Sequence, residues 1–366
     1  MLDAYVAGIA AHAPAHRVTN ADLARDNPDW DVERIGAKVG IAVRRIAGPD
    51  ETAADLGYAA AVRLLDGLEV DRSQVDALLF CTQSPDYLLP TTACVLQDRL
   101  GLPTTCAALD FNQGCSGYVY GLALAKGMIA AGVARNVLLI TADTYSKLIH
   151  PRDRSVRVLF GDAGSASLVT AEPGGARVGA LTLGTDGAGY RNLIVPAGGA
   201  RCPRSPATGA EETDGAGSTR AADHLYMDGQ ELFAFTLKRV PEVVRTTLER
   251  GGVTADDVDW YVFHQANAFM NEHLRSKLRV PKAKAPLRMA DLGNTVSSTI
   301  PLTLCGAGAA FAPGDRAMLV GFGVGYSWGA ALLDWGRVAL FDLPADTDAG
   351  DAGAVAAAST GAVGTA

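Results

Sequence analysis

The sequence has no excess of basic residues, since 32 Lys and Arg stand against 40 Asp and Glu and give a net charge of −8. A general nucleic-acid or anionic-membrane binder needs a basic surface, so both of these classes are excluded. The sequence also lacks an uncharged apolar run of ~20 residues, which a membrane span would need. Its most apolar stretch, residues 119–133, is interrupted by Lys126.

The six cysteines form no C-x-x-C pair. This spacing excludes the usual zinc-ribbon and thioredoxin-like patterns. The first residues also lack the basic segment with which a secretory signal peptide begins. We therefore expect a cytoplasmic protein whose cysteines are reduced.

An internal repeat organises the chain. Val75–Gln83 resembles Val258–Ala266, and the later apolar segments 137–140 and 317–320 keep nearly the same spacing of about 180 residues. Apolar strand-like runs alternate with helical segments throughout, which favours an α/β fold with a sheet covered on both faces. The predicted strands are 77–81, 107–111, 137–141, 166–170, 260–263, 317–322 and 330–335, and the predicted helices are 52–67, 91–100, 116–131, 230–250 and 268–278.

The repeat predicts two similar halves, residues 1–180 and 181–341. Residues 198–223 are rich in Gly, Ala, Ser and Thr without periodicity, so we predict a flexible loop there. Residues 342–366 are mostly Ala, Gly, Thr, Asp and Val, which predicts a disordered tail.

Cys115 stands between a predicted strand and a predicted helix, flanked by Gly114 and Gly117. The dipole and free N–H groups of a helix N-terminus favour a thiolate, and the glycines permit a sharp turn that exposes the sulfur. The pattern therefore fits a nucleophile, and it fits a buried core cysteine equally well.

Two polar residues of the second half are further candidates. His264 ends an apolar strand and could serve as a general base, a hydrogen-bond donor or a structural histidine. Asn294 follows Gly293 on a turn before a helix, where it could direct an amide into a pocket or simply form the turn. The turn at Gly321-Phe322-Gly323 could present backbone N–H groups to a carbonyl or be a plain hairpin.

Taken in order, five motifs resemble the β-ketoacyl-acyl-carrier-protein synthase III family of the thiolase superfamily. The resemblance extends from residue 4 to residue 336 and implies a thiolase-like, five-layered αβαβα fold built from two similar halves. The motifs are Asn112-Gln113-Gly114-Cys115-Ser116-Gly117, Phe160-Gly161-Asp162-Ala163-Gly164, His264-Gln265-Ala266-Asn267, Gly293-Asn294-Thr295 and Gly321-Phe322-Gly323.

The resemblance implies a catalytic triad of Cys115, His264 and Asn294. Cys115 would take an acyl group from acyl-CoA or an acyl-carrier protein, with the backbone N–H groups of Cys115 and Val324 as the oxyanion hole. Malonyl-carrier protein or malonyl-CoA would then lose CO₂ while His264 and Asn294 donate hydrogen bonds, giving a β-ketoacyl thioester for fatty acid or polyketide biosynthesis. The family implies a homodimer and neither a metal nor a cofactor.

The substrate contacts implied by the resemblance are Trp30, Lys38, Arg154 and Asn267, with Trp30 stacking on adenine. The sequence departs from the family where Lys38 replaces an arginine, where Val324 replaces a glycine and where Phe269 replaces an arginine. These departures favour a paralogue of specialised metabolism.

Two other functions remain open at the level of sequence. One is an acyltransferase on the same fold that passes its acyl group to an alcohol or amine, which would not need Asn294. The other is a non-catalytic partner subunit that carries no acyl group on Cys115.

Overall fold

The computed structural model describes residues 2–344. The predicted tail lies outside the described residues from residue 345 onward. Most of the described chain is a mixed sheet system with helices between and around it. The strands are β1 (Tyr5–His12), β2 (Arg17–Thr19), β3 (Val43–Arg45), β4 (Ala77–Cys81), β5 (Ala107–Phe111), β6 (Asn136–Asp143), β7 (Ala163–Thr170), β8 (Ala176–Thr185), β9 (Leu193–Ile194), β10 (Glu212–Thr213), β11 (Thr219–Arg220), β12 (Tyr226–Met227), β13 (Trp260–Phe263), β14 (Arg316–Gly323), β15 (Ser327–Asp334) and β16 (Ala339–Phe341).

The helices form where the sequence is amphipathic or fully apolar, and capping residues mark where several of them begin and end. For example, α3 begins after a capping box between Thr52 and Asp55, and α7 ends at the left-handed Gly252. The helices are α1 (Asn20–Asp26), α2 (Val32–Val39), α3 (Ala53–Gly67), α4 (Thr92–Arg99), α5 (Gly117–Ala130), α6 (Arg154–Arg157), α7 (Gly229–Gly251), α8 (Ala268–Lys277) and α9 (Thr299–Gly306).

The two groups of strands repeat one pairing scheme. In the first group the order is β5-β4-β6-β7-β1, and in the second it is β13-β14-β15-β8. Ala77 of β4 lies opposite Val137 of the parallel strand β6, and Trp260 of β13 lies opposite Ala317 of the parallel strand β14. The segments that repeat in the sequence therefore occupy equivalent places in two similar arrangements.

A short antiparallel pairing between β1 and β8 joins the two groups, with Val6 opposite Ala176. Since β8 already pairs with β15 of the second group, the predicted boundary at residue 180 falls inside a strand of the second half.

Five layers result from the way the helices pack. Helix α3 covers β1, β6 and β7 on one outer side, and α7 covers β8, β14 and β15 on the other. Helices α5 and α9 lie in the middle, because each contacts strands of both groups. Both central helices are apolar on most sides, as expected for helices buried between two sheets. The predicted thiolase-like α/β fold is confirmed.

The predicted loop at 198–223 is more structured than its composition indicates. It contains the hairpin β10–β11, in which Thr213 lies opposite Thr219. Arg220 in this hairpin forms ion pairs with Asp214 and with the fully buried Asp153 at 3.0 Å. These contacts fix the segment against the helix that carries Arg154. Within residues 2–344, no helix is both long and apolar enough to cross a membrane.

Candidate active site

Cys115 lies on the turn between β5 and α5, where the amide of Gly117 donates to the carbonyl of Gly114 at 2.7 Å. The residue is 5% exposed. Ser116, which precedes the helix, is tied to Ser327 of the second half by a hydroxyl contact of 2.7 Å. The predicted sharp turn at Cys115, called the elbow below, is therefore present, and it contacts β15.

Glycines of β14 make room for this elbow. A Cβ on Gly321 would lie 2.7 Å from the Cα of Ser116, and a Cβ on Gly323 would lie 2.9 Å from the Sγ of Cys115. Real Cβ atoms do not approach other atoms this closely, so a side chain at either position would displace the nucleophile. This packing explains why the Gly-Phe-Gly turn accompanies the cysteine motif.

The Cys115 thiol is not ionised in the free enzyme. Burial, and secondarily the charge of Asp143, raise the pKa of Cys115 to about 12, although the N–H groups of Cys115 and Val324 act in the opposite direction. Burial therefore opposes the ionisation that the helix N-terminus favours. The same contacts place both predicted oxyanion-hole N–H groups beside the sulfur.

His264 is buried at the end of β13, and its backbone N–H donates to the carbonyl of Val320 at 2.8 Å. Its Nδ1 lies 2.7 Å from Oγ1 of Thr299, and that hydroxyl also reaches the carbonyl of Val296 at 3.1 Å. Burial lowers the pKa of His264 to about 3, so the imidazole is neutral. Because Thr299 can donate to Nδ1 or accept from it, either neutral tautomer is accommodated.

Asn294 is positioned by the Phe-Gly-Asp motif of the first half. Its backbone N–H donates to Leu159 at 2.8 Å, and its carbonyl accepts from Gly161 at 3.0 Å. Its side-chain Oδ1 accepts the N–H of Val296 at 3.0 Å, which leaves Nδ2 as the group that can donate into the site. Nδ2 lies 3.4 Å from the carbonyl of Ala266.

The three predicted catalytic side chains meet at one cavity. Cys115, His264 and Asn294 all line a space of ≈ 80 Å³, together with Phe322, whose ring packs edge-on against His264 at 5.4 Å. The nucleophile comes from the first half, whereas the histidine and the asparagine come from the second. A neutral imidazole and a carboxamide beside a thiol can hydrogen-bond a developing oxyanion without protonating a carbon.

A wider cavity of ≈ 820 Å³ leads from this space to the surface. It is lined by three of the predicted substrate contacts, Lys38, Arg154 and Asn267. Trp30 is not among the lining residues, because it is 6% exposed and packs within a hydrophobic cluster that also contains lining residues such as Leu159 and Met270. The two cavities adjoin, since they share the wall residues Leu159, Met227, Gly229, Asn267 and Met270.

Two residues near the nucleophile gave no signal in the sequence. Thr299 orients His264 but stands in an ordinary apolar helix segment. Asp143 is completely buried, with its carboxylate accepting from the N–H of Gln83 at 2.8 Å and from the hydroxyl of Ser297 at 2.5 Å. Burial raises the pKa of Asp143 to about 7.

Two similar groups of strands, with central helices between them and Cys115 buried where they meet, are the arrangement of the thiolase fold. Residues 109–187 match the family described as 3-oxoacyl-[acyl-carrier-protein] synthase III, and residues 248–335 match the C-terminal part of that family.

Relatives extend this match over most of the chain. β-Ketoacyl-[acyl-carrier-protein] synthase III 3 of Streptomyces coelicolor is 39% identical over 336 residues, which cover 90% of this chain and 97% of the relative. The crystal structure of a 3-oxoacyl-(acyl-carrier-protein) synthase III is 52% identical, with a TM-score of 0.88, and the match covers 91% of this chain and 100% of that one. The priming β-ketosynthase of a polyketide pathway is 28% identical, with a TM-score of 0.76 over 93% of this chain and 97% of its own. The chain belongs to the β-ketoacyl-acyl-carrier-protein synthase III family.

Proposed function

We propose that this enzyme transfers an acyl group from acyl-CoA to Cys115 and condenses it with a malonyl thioester to form a β-ketoacyl thioester. The observation that carries this proposal is the meeting of Cys115, His264 and Asn294 at one cavity that continues into a channel. Homologues with this activity in their names support fatty acid or polyketide synthesis as its setting.

In the first step, neutral His264 accepts the proton of the Cys115 thiol at Nε2. The sulfur attacks the acyl carbonyl, and the oxygen takes up negative charge between the N–H groups of Cys115 and Val324. The carbon–sulfur bond to CoA then breaks, and His264 returns the proton to the leaving thiolate. A base is needed because the thiol pKa of about 12 leaves almost no thiolate at neutral pH.

In the second step, the malonyl thioester occupies the same channel. The amide of Asn294 and the imidazole of His264 donate to its thioester oxygen while the bond to CO₂ breaks and an enolate forms. The enolate carbon attacks the carbonyl carbon of the acyl-cysteine, the bond from that carbon to sulfur breaks, and the released Cys115 thiolate takes up a proton from solvent. These steps use side chains and backbone groups of this chain and require no redox or metal chemistry.

A homodimer is part of the proposal. Leu88 and Leu89 are 94% and 83% exposed, and they lie near the open edge of β5, where Leu109 is also exposed. Adjacent exposed apolar residues and an unpaired strand edge are both features that association commonly covers. We therefore propose that β5 pairs with its copy in a second subunit.

A reducing cytoplasm suits a chain whose cysteines are all free.

The test measures two reactions of the purified enzyme separately. Intact mass after mixing with acetyl-CoA should show one acetyl adduct, which the Cys115→Ala variant lacks and the Cys81→Ser variant keeps. Addition of malonyl-carrier protein or malonyl-CoA should release CO₂ and form a β-ketoacyl thioester. An adduct without CO₂ release from either donor would refute the condensation, and an acyl product with an alcohol or amine would instead establish a plain acyltransferase.

A further inference from the structure

A threonine of helix α7 borders the catalytic cavity and takes no part in the proposed catalytic steps. Gly229, Leu232 and Thr236 stand at positions i, i+3 and i+7 of the helix, so they share one face. That face lines the ≈ 80 Å³ cavity to which Cys115 also belongs, and Thr236 is only 1% exposed. Thr236 is therefore part of the wall around the reacting atoms.

The hydroxyl of Thr236 is unpartnered. Inside a helix, a threonine hydroxyl commonly donates to a carbonyl one turn earlier. Thr247 and Thr303 do so, to the carbonyls of Val243 and Thr299, each at 2.8 Å. Thr236 makes no such bond, and its hydroxyl has no hydrogen-bond partner among residues 2–344. Because a buried polar group without a partner is costly, this hydroxyl is available to a polar atom of a bound substrate.

Contacts of the neighbouring residue fix this part of α7. The ring of Phe235 stacks on that of Tyr326, with centroids 4.0 Å apart, and the Tyr326 hydroxyl accepts from Nδ2 of Asn192 at 2.6 Å. Tyr326 stands two residues after Val324, whose N–H lies beside the Cys115 sulfur. The position of Thr236 is therefore fixed relative to the proposed oxyanion hole.

The reaction leaves one polar substrate group for this hydroxyl. In the proposed steps, the acyl carbonyl lies between the N–H groups of Cys115 and Val324, and the malonyl thioester oxygen accepts from His264 and Asn294. The malonyl carboxylate is the third polar group that enters the same space. Among the described residues that line this cavity there is no Lys or Arg, so no cation of the wall receives the carboxylate.

We propose that the hydroxyl of Thr236 donates a hydrogen bond to the carboxylate of the malonyl thioester and holds it until CO₂ leaves. This inference rests on the proposed function and assigns a residue that recognises its second substrate. The bond between the carboxyl carbon and the adjacent carbon breaks, its electron pair passes into the enolate, and the hydroxyl keeps its proton.

A neutral donor suits this step better than a cation. A lysine or arginine would stabilise the bound carboxylate more than the transition state, in which the charge moves toward the enolate, and would therefore slow the reaction. A single hydroxyl orients the carboxylate and binds it less tightly. The rest of this wall, with Phe160, Leu193 and Leu232, is apolar and suits the uncharged CO₂ that forms.

The experiment measures acylation and condensation separately in the full-length enzyme. In Thr236→Val, which keeps the shape of the side chain without its hydroxyl, KM for malonyl-CoA in CO₂ release should rise about tenfold whereas kcat does not fall. The reason is that the lost hydrogen bond forms on binding and weakens as the charge leaves the carboxylate. Acetylation of Cys115 by acetyl-CoA should be unchanged.

Two further variants are the controls. Thr236→Ser keeps the hydroxyl and should restore the KM for malonyl-CoA. Thr247→Val removes a buried hydroxyl from the same helix at a position that does not line the cavity, and it should change neither step.

An unchanged KM for malonyl-CoA in Thr236→Val would overturn the proposal. Equal losses of acetylation and CO₂ release would also overturn it, because they would indicate that Thr236 only supports the cavity wall, and a loss confined to acetylation would assign the hydroxyl to the acyl group instead. Failure of the proposed function looks different, because wild-type enzyme would then release no CO₂. If Thr236→Val does not fold, Thr236→Ala provides the same comparison.

Discussion

The phenol of Tyr145 donates to Oε1 of Gln83 at 2.5 Å, and Gln83 lies beside the turn that carries Cys115. Gln83 is held in turn by Asn112, whose Oδ1 accepts from its Nε2 at 2.9 Å. The same Oε1 lies 2.6 Å from the position that a Cβ on Gly114 would take, directly before Cys115. We predict that this hydrogen-bonded pair forms a wall against which the acyl chain on Cys115 ends.

This wall limits the length of the acyl group. We expect wild-type enzyme to accept acetyl and propionyl groups and to discriminate against hexanoyl. Tyr145→Leu should improve acylation by hexanoyl-CoA at least tenfold, because a misfit of a few methylene groups changes binding by ~1–3 kcal/mol or more. Tyr145→Phe keeps the ring and serves as the control. The measurement is the rate of adduct formation on Cys115 across an acyl-CoA series, and equal rates for wild type at all lengths would contradict the limit.

The contact between Thr299 and His264 leads to a prediction that distinguishes the two chemical steps. In Thr299→Val, no hydroxyl can donate to Nδ1, whereas the carbonyl of Val296 can still accept a hydrogen bond from a proton held there, so the ring carries its proton on Nδ1 and Nε2 can only accept. Acylation of Cys115, which uses Nε2 as a base, should remain within a few-fold of wild type. CO₂ release from the malonyl donor should fall about tenfold or more, because one donor to the enolate is lost. Thr299→Ser should restore it, and parallel loss of both steps would indicate a purely structural role.

Asp143 makes stability depend on pH. Its pKa of about 7 in the folded chain exceeds the ordinary 3.8, so between these values the folded state keeps a proton that the unfolded state has lost. Rising pH therefore reduces the free energy of unfolding in this interval. From pH ~5 to pH ~8 this group should cost about 3 kcal/mol, at ~1.4 kcal/mol for each pH unit below the folded pKa.

The isosteric variant Asp143→Asn should not show this dependence. Urea unfolding gives the free energy of unfolding of the wild type and of the variant at both pH values. The difference between the two proteins at each pH removes the contribution of the titrating groups that they share. The same variant should also react faster with iodoacetamide at neutral pH, because the charge of Asp143 raises the pKa of Cys115. A stability difference that does not change with pH would contradict the assignment.

Gly293 is required by the turn that presents Asn294. Its φ is +77°, and a Cβ there would lie 2.9 Å from the carbonyl oxygen of Leu159. Gly293→Ala should therefore shift Asn294, reduce CO₂ release strongly and leave the acyl adduct intact. Gly101, with φ of +66° and no atom within 4 Å of its Cβ position, is the matched control. Gly101→Ala should cost only the ~1–2 kcal/mol of a left-handed backbone, as measured by urea unfolding, and should retain full activity.

The sequence alone predicts several strands well. The predicted bounds 77–81, 107–111 and 260–263 coincide with β4, β5 and β13, because short apolar runs between turn residues have few other interpretations. Strand β8 was not predicted, since buried, half-buried and exposed residues are mixed along it and no clear period appears. A helix is expected after the Asn294 turn, but the bounds of α9 are not, because the helix is short and contains Pro301.

The catalytic side chains are predictable because each stands in a recognisable motif, and the fold brings them together. The pKa of the Cys115 thiol and the burial of Trp30 are not predictable in the same way. Both depend on burial, which arises from contacts between segments far apart in the sequence. A helix N-terminus can be recognised from local residues, whereas the loss of solvent around Cys115 cannot.

The elbow of Cys115 rests on β14 and β15, so the catalytic centre is also the seam between the two halves of the chain. A substrate bound in the channel touches residues from both sides of that seam. Ligand binding is therefore linked to the stability of the whole folded chain. A thioester at concentration [L] is expected to raise the free energy of unfolding by RT ln(1 + [L]/Kd).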